Sequence, residues 1–240
     1  MKFAPYSYSR IESFNCPQKF KLSYIDKIKI PSTHDALEKG TRIHQILEFY
    51  DDYKKTNILP EFEYDLIKTD ERKKEIEDIA LNFMISELGL KYFEEQESIG
   101  DEIEFGLDKK LNPVPYNSPL AVMRGKIDKI IKSNNHYTII DWKSGKFPDE
   151  RWHSNDQAMM YALWFFRKYK EVDEITATYV YVEHNKEHVY KFKREYIQNY
   201  ATSYSKKITK IETCEDFYKN ETKLCDYCDF RKSGYCIYEL

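Results

Sequence analysis

The stretch GKIDKIIKSNNHYTIIDWKSGK, residues 125–146, decides how this chain is read. Two apolar, β-branched runs flank SNN (residues 133–135), a pattern that predicts a β-hairpin. Asp128 falls in the middle of the first strand, and Asp141 and Lys143 at the end of the second. Strand side chains alternate between faces, so Asp141 and Lys143, two apart, point the same way. The turn then brings Asp128 alongside them, and two carboxylates and an ammonium are expected to converge at one sheet edge. Carboxylates suit a hard divalent cation such as Mg²⁺ or Mn²⁺. A lysine beside them can hold or help deprotonate a water and offset charge developing on a phosphate. The plainer alternative is a surface salt bridge, but charges placed just past the apolar run YTII fit a plain surface poorly.

Outward from the hairpin, EIEFGL (residues 102–107) and LAVMRGKIDKII (residues 120–131) read as strands separated by the loop NPVPYNSP (residues 112–119). TATYVYVEH and EHVYKFKRE form a second strand pair with NK as the turn. Helical periodicity places helices at 34–54, where Ile43, Ile46, Leu47 and Tyr50 share a face, at 65–95, at 154–169 and at 195–212. Shorter helices are expected from Ser7 to Asn15 and from Pro17 to Tyr24. The order is helices, strands, helix, strands, helix: an α/β or α+β core with a helical N-terminal part.

Composition narrows the class. The 240 residues are 41% hydrophobic and 33% charged, enough for a sizeable core, and 7 Gly and 8 Pro leave little room for low-complexity linkers. The apolar runs are too short to span a bilayer and MKFAPYSYSR lacks a secretory core, so a cytosolic protein without a membrane partner is expected. A net charge of −3 excludes bulk basicity as a signal for nucleic acid. The 21 Tyr and 14 Phe nevertheless alternate with Lys in KFKLSYIDKIKI and VYKFKREY, which could stack bases and hold phosphates or simply be amphipathic core elements.

The tail CDYCDFRKSGYC (residues 225–236) holds Cys225, Cys228 and Cys236. In a cytosolic chain such thiols point to metal rather than disulfides. Tetrahedral ions and iron–sulfur clusters take four protein ligands. The fourth is either Cys214, nearby in sequence, or Cys16, at the other end of the chain.

These residues carry a family resemblance. SRIESFNCPQKF (residues 9–20), GTRIHQILE (residues 40–48), GKID, IIDWKSGK and QAMMYAL (residues 157–163), in that order, resemble the PD-(D/E)XK nuclease superfamily, and within it the RecB-like branch. The resemblance spans about Ser7 to Cys236 and implies a restriction-endonuclease-like core, a central mixed sheet flanked by helices, in a single nuclease domain. That domain divides into a helical part at about 1–95, a catalytic core at about 100–212 and a cysteine tail closing onto Cys16. It implies His44, Asp128, Asp141 and the backbone carbonyl of Trp142 as ligands of Mg²⁺ or Mn²⁺, and Lys143 as the catalytic lysine. Gln157 and Tyr161, sharing a helix face, would line the site or contact DNA, and Glu104 could add a further acid. His44 also lies four residues from Glu48, the spacing of a helix-surface pair.

The same resemblance implies a [4Fe–4S] cluster on Cys16, Cys225, Cys228 and Cys236, with Zn²⁺ as the alternative. The last gap, of seven residues, is longer than in the family's usual pattern. Relatives of this kind include CRISPR-associated exonucleases and phage recombination or repair nucleases that act on DNA ends and single strands. No GxxxxGK[ST] motif supplies a helicase in this chain, and the resemblance implies a helicase, recombination or CRISPR protein as a separate partner. Two other classes fit the same residues: a non-catalytic DNA-end-binding module and a restriction-type endonuclease.

Overall fold

The computed structural model describes residues 2–30, 35–94, 96–148 and 154–236. Its centre is a six-stranded mixed sheet in the order β2-β1-β3-β4-β5-β6. The strands are β1 (Glu97–Leu107), β2 (Pro113–Val114), β3 (Met123–Ser133), β4 (His136–Lys143), β5 (Glu174–Tyr181) and β6 (Lys186–Lys193). All neighbours are antiparallel except β4 and β5, which run parallel. A parallel pair needs a long crossover, and the helix Asp156–Lys168 supplies it. The result is an α/β architecture, a central mixed sheet flanked by helices, in agreement with the restriction-endonuclease-like core that the resemblance implies.

The β3–β4 hairpin turns on Asn134 and Asn135, both left-handed at φ 47° and 63°. Two such residues match the right-handed twist of the flanking strands, and Asn tolerates the conformation. The hairpin is central in the sheet, which corrects the expectation of an edge.

Helices α1 (Tyr8–Ser13), α2 (Pro17–Phe20), α7 (Asp156–Lys168) and α8 (Ile197–Glu212) cover one sheet face. Helices α3 (Ala36–Glu48), α5 (Asp70–Met84) and α6 (Glu87–Phe93) cover the other, with α4 (Tyr50–Thr56) following α3. Strand alternation feeds both cores: Ile139 packs on the α7 side, Ile140 and Trp142 on the α3 side. In α7, Ala158 and every residue from Met160 to Phe166 are buried. A helix apolar all round must be enclosed, and α7 lies between the sheet, α1 and α8.

Several elements differ from expectation. The helix expected over 34–54 breaks at Phe49, and the ring of Tyr50 stacks on Phe93 with centroids 4.2 Å apart. Residues 65–69 are not helical, because the Glu38 carboxylate takes the N–H groups of Asp65, Leu66 and Ile67. The expected 65–95 helix also divides at Ser86, whose hydroxyl donates to the Phe83 carbonyl at 2.7 Å and accepts from Gly89 N–H at 3.0 Å. A Cβ on Gly89 would stand 1.9 Å from the Phe83 oxygen, so this corner requires glycine. The loop after β1 contains β2, and 120–122 precede β3 rather than belonging to it. Residues 34, 95 and 237–240, parts of expected elements, lie outside the described residues. No helix among the described residues is long and apolar enough to cross a membrane.

Candidate active site

The site forms where β3 and β4 part. Their pairing ends at Lys129 and Ile140. Beyond it, the Asp128 carboxylate reaches across and accepts the Trp142 N–H at 2.7 Å, replacing a ladder bond. Further along β3, the chain's own N-terminal segment occupies the vacated edge. Tyr6 N–H donates to the Val122 carbonyl at 2.7 Å, and Arg124 N–H donates to the Tyr6 carbonyl at 2.9 Å. Asp128, its side chain 12% exposed, lies between the Tyr6 bonds and the end of the β3–β4 ladder.

On the other side of β3, the ladder partners Asp101 with Lys129 and Ile103 with Ile127, so Glu102 stands across from Asp128. Glu102 is left-handed, φ 51°, a conformation that costs a non-glycine residue on the order of 1–3 kcal/mol. His44 approaches from α3 and places Nδ1 3.5 Å from Asp128 Oδ1. Ligand atoms of His44, Glu102 and Asp128 all lie within 4.8 Å of one another. Burial alone would lower the His44 pKa, but the hydrogen bond and charge of Asp128, with the charge of Asp141, outweigh it and raise it. Lys126 is ion-paired with Glu102. These groups line a cleft of about 590 Å³ whose far wall includes Glu48 and Phe62.

On the α7 face a closed ring of polar contacts surrounds Asp141, which is 4% exposed. Tyr161 donates its hydroxyl to Asp141 Oδ1 at 2.8 Å, and the Lys143 ammonium is ion-paired with Oδ2. Lys143 also donates to Gln157 Oε1 at 2.8 Å, and Gln157 Nε2 donates to the Tyr161 hydroxyl oxygen at 2.6 Å. Spacings of two on β4 and four on α7 make this ring possible. Burial raises the Asp141 pKa; Lys143 opposes this and the charge of Asp128 adds to it. Burial, then the charges of Asp141 and Asp128, hold the Tyr161 hydroxyl protonated far above its ordinary range, so it serves as a donor. A second cleft, of about 490 Å³, opens here and shares Lys126 with the first. Gly125 of the GKID stretch also belongs to this wall: a Cβ there would meet the Phe105 ring at 2.3 Å.

The expected residues thus fall into two groups meeting at Asp128, His44 with Asp128 and Asp141 with Lys143, Gln157 and Tyr161. The Trp142 ring points away, stacked on Phe93 with centroids 5.5 Å apart. Its N–H is committed to Asp128. The expectation for Glu104 is corrected: Glu104 is exposed, and Glu102 is the acid at the cleft. Two glutamates two apart share a face of a strand, and the register separates them: Glu102 stands across from Asp128, Glu104 across from Lys126. His44 faces Asp128 rather than standing as a surface partner of Glu48.

The cysteines converge elsewhere. Cys16, at the start of α2, lines one small cavity with Cys225, Cys228 and Cys236, walled by Leu22 and Phe230. All are free thiols. Cys214 Sγ instead lies 3.2 Å from the Asp216 carbonyl oxygen, and Cys214 packs against the sheet core. Burial raises the Cys236 pKa; Lys219 works against this, and Cys16, Cys228 and Cys225 add to it. Among the described residues, the one group of three such ligand atoms within 4.8 Å is that of His44, Glu102 and Asp128.

Residues 5–233 match the family described as the PD-(D/E)XK nuclease superfamily. Among solved structures, one titled "Crystal structure of SSO0001" is similar at 15% identity, covering 95% of this chain and 96% of that one, with a TM-score of 0.34. A likeness that low carries no argument. No curated protein matches the chain.

Proposed function

Because the chain belongs to the PD-(D/E)XK nuclease superfamily, whose members are generally phosphodiester hydrolases, we propose that it is a metal-dependent deoxyribonuclease. In this reading it is an exonuclease acting on DNA ends or single strands, serving recombination, repair, replication or CRISPR adaptation. The observation that carries the nuclease reading is the convergence of His44, Glu102 and Asp128 beside the Asp141–Lys143 pair. One imidazole and two carboxylates are the donor set of a hard or borderline divalent cation. Those three residues would hold Mg²⁺ or Mn²⁺, with Asp141 and the Trp142 carbonyl at its border. Such an ion, when bound, supplies Lewis acidity to a phosphodiester oxygen and to water.

The chain's own residues do the rest. Tyr161 fixes one oxygen of Asp141, which leaves the other to hold the Lys143 ammonium. Gln157 holds the same ammonium from a second side, so its position is set by two partners. A water oxygen attacks phosphorus and its proton passes to solvent, the opposite P–O bond breaks, and the leaving oxygen takes a proton from solvent. Lys143 offsets the negative charge that builds on the phosphorane-like transition state.

End-labelled single- and double-stranded DNA with Mn²⁺ or Mg²⁺ tests this directly. Wild type is expected to shorten the substrate from an end, and Lys143→Ala to lower the rate by at least about a hundredfold. Binding without degradation would instead support the end-binding module, and internal cuts the endonuclease.

The four converging thiols fit a metal group, a [4Fe–4S] cluster as the family resemblance implies, with Zn²⁺ as the alternative. Cys16, Cys225, Cys228 and Cys236 would hold it. Its role is structural, tying the N-terminal helices to the C-terminal tail. Brown protein absorbing broadly near 400 nm is expected of such a centre; a colourless protein with stoichiometric zinc after anaerobic purification rules it out.

A further inference from the structure

The cleft on the Lys143 side contains a cation that the hydrolytic residues do not account for. Arg124, Lys126 and Lys143 line it, together with Glu12. Lys143 is committed to Asp141 and Lys126 to Glu102. Arg124 has no carboxylate partner among the described residues. Its guanidinium lies over the Tyr116 ring, 5.2 Å from the centroid, and donates to the Ser118 carbonyl at 3.3 Å. Its Nε is buried with no hydrogen-bond partner. The backbone is equally constrained, paired with Gly106 on one side and bonded to Tyr6 on the other. An arginine held in this way loses little freedom when it binds an anion.

The cleft also continues away from the reacting centre. A second groove shares Tyr8, Glu12 and Ser154 with it and runs between α1 and α8 to Lys207 and Lys210. The two sides of the site differ in charge. The α3 side presents Glu48, Glu102 and Asp128 against Lys126 alone, an excess of negative charge that repels phosphate until a cation is bound. On the other side Arg124 and Lys210 line the clefts without an ion pair among the described residues, against Glu12, while Lys207 is ion-paired with Asp156.

We propose that Arg124 anchors a backbone phosphate of the nucleic-acid strand, other than the phosphate being cleaved, on the α1 side of the reacting centre. This rests on the nuclease reading. The planar guanidinium matches two phosphate oxygens at once, as a lysine cannot. Arg124 is then a positioning residue, fixing where the strand lies relative to Lys143.

The test measures binding of a fluorescent single-stranded oligonucleotide across a salt series, without added divalent cation. Arg124→Ala is expected to bind about tenfold more weakly at low salt. The slope of log affinity against log salt should fall by about 0.7, the loss of one phosphate contact. Arg124→Lys should keep the slope but not the full affinity, and Tyr116→Leu should do the same by releasing the guanidinium. These two milder variants carry the test if Arg124→Ala does not fold. A neutral methylphosphonate moved along the oligonucleotide should weaken wild type at one linkage and leave Arg124→Ala unaffected there. If wild type cleaves DNA but Arg124→Ala keeps the wild-type slope and methylphosphonate profile, the assignment of Arg124 is wrong and the nuclease reading stands. If wild type neither binds nor cleaves, both fail together.

Discussion

Glu102 shows how much can rest on one ladder position. It stands across from Asp128 at a left-handed φ and brings its carboxylate to Asp128 and His44, while exposed Glu104 stands across from Lys126. Glu102→Gln is therefore expected to lower Mn²⁺ affinity and cleavage on the order of tenfold or more, and Glu104→Gln to change neither. Titration of the metal, followed by calorimetry, checks this. Glu102→Gly lacks the same charge but relieves the left-handed strain, so it should be more stable than Glu102→Gln by about 1 kcal/mol in urea unfolding. Tyr161 offers a complementary case. Tyr161→Phe keeps the ring in its core but removes the donor to Asp141 and the acceptor for Gln157. Turnover should fall about tenfold while substrate KM changes little, because the loss acts through the placement of Lys143.

Among the elements, the β3–β4 hairpin and α6 contribute in different ways. The hairpin sets Asp128 against the end of β4, and its two left-handed asparagines limit its stability. Asn135→Gly should raise stability by about 0.5–1 kcal/mol in chemical denaturation, because glycine adopts that conformation without steric cost. Helix α6 is held to β6 through Glu187, which accepts from Lys91 at 2.8 Å and from the Tyr92 hydroxyl. Burial alone would raise the Glu187 pKa, but Lys91 and Tyr92 outweigh it and hold it below the ordinary range. Its stabilisation is thus complete above about pH 4.3, the unfolded carboxyl value, and is lost as pH falls through the depressed folded value. Replacing Glu187 with Gln should flatten that acid limb of the stability curve, which thermal melts between pH 6 and pH 3 read out.

The chain as a unit is closed by its termini. The N–H groups of Lys2 and Phe3 donate to Glu212, Gln18 N–H donates to the Tyr218 carbonyl at 3.0 Å, and Phe217 stacks on Phe20. A metal group on Cys16 and the C-terminal cysteines would lock this closure and restrict the unfolded chain over most of its length. Under the proposed assignment, Cys16→Ala should lose the bound metal and several degrees of melting temperature, and Cys214→Ala should keep both. Metal analysis with thermal melts distinguishes them.

What could be read from the residues alone was local. The hairpin around SNN, the shared face of Asp141 and Lys143, the Gln157–Tyr161 spacing and the three C-terminal cysteines all follow from periods of two and four and from one tight turn. Folding decided everything that depends on register between distant segments. It placed the hairpin at the centre of the sheet and brought His44 from α3 to Asp128. It also selected Glu102 over Glu104, and set Cys16 rather than Cys214 beside the C-terminal cysteines. No period in the chain encodes a left-handed residue in mid-strand or the docking of a helix on a sheet, because both arise from packing between segments far apart in sequence.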